Sequence, residues 1–190
     1  MARIPYADIE KSSQKVREFF EKIETGGFEV LNINKMVAHS GAAVREFVRL
    51  GSKLIIKSHL EPRYRELAIL KIAQIHGANY EWAHHVPIAM QAGVTLEQIG
   101  ELKGWRGSAA FTSQEKTVLK YTEEVSRENQ PRDETFAAAS GFLDNASLVE
   151  LTLSVGFWGM VARFLLTFHV DLEESFLQEN ADLLREVGHV

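Results

Sequence analysis

Apolar residues recur at helical spacing along nearly the whole chain, and no other feature limits its fold as much. Between Asp8 and Ile23, for example, Ile9, Val16, Phe19, Phe20 and Ile23 fall at i, i+3, i+4 and i+7 separations with charges between them. Nowhere do β-branched residues alternate with polar ones between hairpin turns, so no strand is expected and the fold class is all-α. Punctuation sets the helix limits. Gly26-Gly27 closes the first helix, and a short apolar segment from Phe28 to Val37 leads to Ser40-Gly41 and a helix through Leu54, Ile55 and Ile56. Pro62 suits the first turn of a third helix running to His76. This helix is apolar nearly all round, with Leu67, Ala68, Ile69, Leu70, Ile72, Ala73 and Ile75. Asn79 is the expected N-cap of a helix to Ala92, and Thr95 that of a short helix to Leu102. Thr112-Ser113-Gln114-Glu115 has the capping-box pattern and opens a helix to Glu128. Helices over Glu134 to Phe142, Asn145 to His169 and Leu172 to Val187 complete a bundle of about 8–10.

Composition removes several classes of function. At 190 residues, residues 1–190 are expected to form one domain with a sizeable core. The chain has no cysteine, so it can build no disulfide, zinc-thiolate site, iron–sulfur cluster or thiol nucleophile. Net charge is −5 and the basic residues lie singly among acids, which argues against nucleic acid. The most apolar stretch, Leu151 to Ala162, is bounded by Glu150 and Arg163, whereas a membrane span needs about 20 residues. It reads as a buried helix, with no membrane partner. The first residues, Met1 to Tyr6, lack a signal-peptide apolar run, so the expected location is cytoplasmic.

Two clusters carry the candidate chemistry. Glu66 has Ile69, Leu70 and Ala73 as its neighbours three, four and seven residues on, which sets a carboxylate along an apolar stripe. It either forms a salt bridge to Arg63 or Arg65 at the helix surface or, if desolvated, has a raised pKa suited to a general acid. The second cluster is Tyr80-Glu81-Trp82-Ala83-His84-His85, where Glu81 shares a helix face with His85 and nearly so with His84. A carboxylate beside an imidazole can fix a tautomer, hold a proton or bind metal. Glu81 sits near a helix N-terminus, whose dipole favours the ionised form, so the expected split is Glu66 high and Glu81 low. Tyr80 and Trp82 suit core anchors or substrate contacts. A metal set of Glu81, His84, His85 and His76 lacks a recognised ligand spacing, and neither metal nor cofactor is expected. Arg163, alone in an apolar helix, suits pairing with an acid or clamping a substrate carboxylate. At an offset of 84 residues, Glu66, Ala78 and His85 recur as Glu150, Ala162 and His169, a faint sign of a duplicated helical pair.

The pattern Arg65-Glu66-Leu67, Tyr80-Glu81-Trp82-x-x-His85-x-x-x-Ala89-x-x-x-Gly93-Val94 and Ile99 resembles the carboxymuconolactone decarboxylase family, within the alkylhydroperoxidase D-like superfamily. The resemblance continues through Glu115-Lys116, Asp133 to Phe136, Leu148 to Thr152 and Ala162 to Phe164. It covers roughly residues 40 to 175, leaving residues 1–39 as an N-terminal helical extension and 172–190 as a C-terminal helix. It implies an all-helical protomer in an obligate homo-oligomer, a trimer or hexamer, with sites near subunit interfaces. The peroxidase branch places a glutamate ahead of a Cys-x-x-Cys and a histidine. Glu66 and His85 match those outer positions, while Ala78 and Glu81 stand where the cysteines would be. Thiol peroxidase activity is therefore disfavoured. The decarboxylase branch needs no cysteine, and implies a cofactor-free lyase or isomerase acting on a small carboxylated lactone or aromatic catabolite. In that reading Glu66, Glu81 and His85 are the catalytic acid–base groups. Arg63, Arg65 and Arg163 clamp carboxylates, and Tyr80, Trp82 and His84 contact substrate. The alternative is a non-catalytic ligand-binding or structural oligomer on the same scaffold.

Overall fold

The computed structural model describes residues 1–189, and every regular element among them is helical. In chain order these are α1 (Gln14–Thr25), α2 (Asn32–Val37), α3 (Val44–Ile56), α4 (Pro62–His76), α5 (Asn79–Gln91), α6 (Leu96–Glu101), a 3₁₀ turn (Leu102–Gly104), α7 (Ser113–Glu128), α8 (Asp133–Ser140), α9 (Asn145–Phe168), α10 (Glu174–Glu179) and α11 (Ala181–Val187). Pro62 starts α4 at the position where its missing N–H costs nothing. Both polar capping patterns close as reciprocal boxes, Thr95 with Gln98 and Thr112 with Glu115.

The remaining boundaries differ in instructive ways. Helix α1 begins at Gln14, because residues 8–12 form a turn in which the Asp8 carboxylate accepts from Glu10 N–H and its carbonyl from the Ser12 hydroxyl. Ala78, rather than Asn79, occupies the N-cap position of α5, because α4 ends in a left-handed Gly77 (φ 69°) and the two helices are only two residues apart. The Ala78 N–H reaches back to Ala73 O at 2.9 Å, a Schellman closure that turns α5 back along α4. The amphipathic C-terminal stretch is two short helices that meet at Asn180, with no fully buried residue in either.

Helix α4 is the axis of the fold. Nine consecutive residues, Arg65 to Ala73, are buried, as an all-round apolar helix requires. Ala68, Ile69 and Ile72 face one core with Val16, Phe20, Met36, Tyr121, Leu151 and Trp158. Leu67, Leu70 and Ala73 face a second core with Trp82, Val86, Leu102, Trp105 and Leu119. Helix α9 is the one helix among the described residues long and apolar enough to cross a membrane by length and composition, and half of its most apolar window is buried inside the fold. Its outer face still carries Val149, Leu153, Met160 and Leu166 exposed. Residues 1–39 are not a loose appendage. Arg3 N–H bonds Phe168 O, Ala7 N–H bonds Lys35 O, and Tyr6 and Asp171 exchange hydrogen bonds across the two ends of the chain.

Candidate functional site

The short α4–α5 turn brings Glu66 and His85 together across the helix pair. His85 Nδ1 lies 2.8 Å from Glu66 Oε2, and Arg65 Nε donates to Glu66 Oε1 at 2.9 Å. Glu66 is fully buried and both neighbours nearly so. The two readings of Glu66 thus merge: it does pair with Arg65, yet in the interior and not at the surface. On the other side of the imidazole, the Trp158 indole N–H donates to His85 Nε2 at 3.0 Å. An indole nitrogen can only donate, so Nε2 accepts and the imidazole proton resides on Nδ1, pointing at the Glu66 carboxylate. Burial pushes the Glu66 carboxyl up, but the hydrogen bond from His85 and the Arg65 guanidinium outweigh it and leave the pKa below its ordinary value.

Glu81 is the opposite case. It is buried, and neither carboxylate oxygen has a partner. Burial alone raises its pKa well above the ordinary range, so its surroundings favour the neutral carboxylic acid over the carboxylate. The expected split is therefore inverted: Glu66 is the low carboxyl and Glu81 the high one. The α5 dipole acts on Glu81 by a fraction of a kcal/mol up to about 2 kcal/mol, less than the cost of burying an unpaired carboxylate.

Glu81 and His85 border a cavity of about 200 Å³ walled by α2, α3, α5 and α9, with Leu31, Ile33, Phe47, Phe157, Val161 and Leu165 among its apolar surfaces. Gly51 lets α3 approach α9 there, since a Cβ at this position would lie 3.0 Å from the Phe157 ring. Tyr80 and His84 also border the cavity, but their polar atoms are committed to Glu173. The Tyr80 hydroxyl donates to Glu173 Oε1 at 2.6 Å, His84 Nε2 lies 2.8 Å from Oε2, and Asn32 N–H donates to Oε1 at 2.6 Å. Burial opposes ionisation of Glu173, but His84, Tyr80 and Asn32 prevail and pull its pKa down to about 2. The same network and burial push the Tyr80 phenol upward.

The other sequence candidates lie elsewhere. Trp82 packs in the second core, away from the cavity. Arg63 binds Glu115 Oε1 at 2.5 Å, Gln98 Oε1 at 2.8 Å and the Gly93 carbonyl. Arg65 is held by Glu66, and Arg163 donates to Gly159 O in its own helix at 2.6 Å with its side chain at the surface. No lysine or arginine lines the cavity, so the expected carboxylate clamp of Arg63, Arg65 and Arg163 is not assembled there. Glu81, His84 and His85 do not converge on one point, because His84 turns to Glu173 and His85 to Glu66; among the described residues no group of three or more such side chains is arranged to hold a metal ion. The repeat at an offset of 84 makes no second site. Glu150 accepts from the Ser58 hydroxyl and the His59 and Leu60 N–H groups near the start of α9, whereas His169 caps its far end in the left-handed region (φ 51°).

Local sequence does not mark two of the site residues. Trp158 was one apolar-helix residue among many, and only an indole N–H needing a buried acceptor set it apart. Glu173 lies 89 and 93 residues from its partners His84 and Tyr80, and nothing local marks it.

Residues 41–124, which hold Glu66, Glu81 and His85, match the profile of the carboxymuconolactone decarboxylase family. The match covers 84 of the 190 residues. Comparison with curated protein sequences gives no match. Among solved structures, the fold is similar to an alkylhydroperoxidase AhpD core, an uncharacterised peroxidase-related protein from Ralstonia eutropha JMP134 (15% identity, 100% of this chain and 98% of that one, TM-score 0.77). A variant of the debrominase Bmp8, in complex with 2,3,4-tribromopyrrole, is similar at 14% identity over 99% of this chain and 100% of that one, with TM-score 0.76. A protein of unknown function from Agrobacterium tumefaciens shares 21% identity over 72% of this chain and 94% of that one, with TM-score 0.66. At these identities the likenesses establish the alkylhydroperoxidase D-like fold of this cysteine-free chain.

Proposed function

We propose that the protein is a cofactor-free acid–base enzyme of the lyase or isomerase type, acting on a small unsaturated ring compound such as a lactone. The observation that supports this is Glu81, a neutral, unpartnered carboxylic acid bordering an apolar cavity. Without a cysteine, thiol chemistry has no nucleophile, and proton transfer is what the remaining groups can perform. In an isomerisation Glu81 gives its proton to one ring carbon as the double-bond electrons shift. The resulting carboxylate then removes a proton from a second carbon, so the double bond moves and the acid is regenerated. Low polarity around Glu81 favours each return to the neutral form. His85 is a positioning residue: Glu66 fixes its tautomer, Trp158 occupies Nε2, and its ring forms cavity wall four residues from Glu81.

A homo-oligomeric, cytoplasmic protein remains part of the proposal, supported on the first count by the exposed apolar side chains Val149, Leu153, Met160 and Leu166 along one helix. The ligand-binding alternative is favoured by one feature, that both ring nitrogens of His85 are already engaged, so Glu81 has no second acid or base beside it. Turnover of a panel of small unsaturated lactones and enones separates the two. Glu81→Gln keeps size and shape but cannot transfer a proton, and should lower kcat by about 10²–10⁴-fold. Equal turnover by Glu81→Gln and the wild type rules out the acid–base assignment.

A further inference from the structure

Resting on the reading of Glu81 as the proton donor, the geometry points to the class of ligand this cavity admits: a single, uncharged ring whose hydrogen-bond acceptor, a carbonyl or lactone oxygen, enters toward Glu81. The cavity of about 200 Å³ is of the size that takes one ring with small substituents, since an apolar cavity of ~150 Å³ accommodates benzene. Of the buried polar side chains on its wall, Tyr80 and His85 are engaged by protein partners, as is the half-buried His84. Glu81 alone among them has unmet hydrogen-bonding capacity, and in its neutral form it supplies one O–H donor. A buried polar group without a partner is satisfied at least cost by a ligand atom of opposite hydrogen-bonding character.

Charge narrows the class further. An anionic ligand would meet no lysine or arginine on the wall, and Glu66, ionised, lies behind His85. Such an anion would leave water with no cation to replace its hydration. An ammonium ligand would have to drive the proton off Glu81 before pairing with it, against the burial that holds it neutral. A neutral acceptor requires neither step. This departs from a substrate whose carboxylate is gripped inside the site: any charged substituent stays outside the apolar wall, on the side of Asn34 and Ser52, where the cavity lining is partly exposed.

The test is titration calorimetry on the wild-type protein near neutral pH with four ring probes: cyclohex-2-enone, cyclohexene, benzoate and benzylamine. Cyclohex-2-enone is expected to bind about tenfold or more tightly than each of the other three. Glu81→Gln, whose amide still donates, should retain that preference, and Glu81→Leu should lose the preference for the enone over cyclohexene. Benzoate or benzylamine binding as tightly as the enone overturns the assignment, as does absence of measurable binding by all four. The preference is read from binding alone. If it holds without turnover, the ligand class stands and only the acid–base reading falls; if turnover occurs with a preference for benzoate, the acid–base reading stands and the ligand class falls.

Discussion

Glu66 and Glu81 sit on adjacent antiparallel helices, are both almost completely buried, and have pKa values displaced in opposite directions. The difference lies in what surrounds each carboxyl. Glu66 accepts from His85 and Arg65, and these partners hold it ionised. Glu81 has no partner, and burial favours its protonated form. Depth of burial therefore does not decide protonation in this protein; the supply of donors does. Glu173 shows the same rule from a third position, with three donors and a pKa near 2. Glu66 and Glu173 tie helices together, whereas Glu81 makes no hydrogen bond that would do so.

Each half of that contrast can be broken. Replacing Glu66 by Gln leaves Arg65 and His85 facing a neutral amide in the interior, and should lower unfolding free energy by about 3–5 kcal/mol, the usual cost of breaking a buried ion pair. The folded-state pKa of Glu66 is depressed, so its stabilisation exists above the ordinary carboxylate range and is lost as pH falls through the depressed value. Urea denaturation of both proteins should therefore show the gap closing in acid. Glu173→Gln comes next, at about 1.5–3 kcal/mol, because the bonds from Tyr80, His84 and Asn32 become neutral ones. Faster proteolysis beyond residue 170 would accompany it.

Glu81→Gln should act in the other direction and raise stability near neutral pH by about 1 kcal/mol, the usual size of a single-substitution effect, because the amide removes a carboxyl that ionises freely only in the unfolded chain. Here the folded-state pKa is raised, so wild-type stability is greatest below the unfolded value of about 4.3 and declines as pH rises toward the folded one. The advantage of the variant over the wild type should grow across that interval in thermal melts; a constant or shrinking gap would show that Glu81 is ionised in the fold. Smallest in energy is Leu153→Glu on the exposed face of α9, within about 0.5 kcal/mol for the protomer. Its readout is mass: on the proposed homo-oligomer, light scattering should show dissociation to smaller species, and an unchanged mass would argue against that assembly through α9.

Local signals carried much of the fold into the sequence. Pro62, the two capping boxes and the all-round apolar character of α4 are properties of short windows, and the helices they announce begin and run accordingly. The pairing of Glu66 with His85 was legible through the family pattern, with 18 residues between them. Partners contributed by distant segments were not. Arg63 finds Glu115 and Gln98, His84 finds Glu173, and His85 finds Trp158, each through tertiary packing that no window of sequence contains. The inverted carboxyl pair has the same origin. A helix N-terminus is visible in sequence, while complete desolvation of one of its residues depends on what α3 and α9 lay over it.

The cavity wall is drawn from residues 31–34, 47–55, 80–85 and 157–165, segments from both ends and the middle of the chain. Separating any of them from the rest dismantles the pocket, so an occupant binds only the native state. Ligand occupancy and global unfolding are therefore thermodynamically linked, and a compound present at a hundred times its Kd would stabilise the whole protein by about 2.7 kcal/mol. The melting temperature thus serves as a reporter of occupancy, and a natural ligand could be recognised in a metabolite mixture by the upshift it causes before any reaction has been identified.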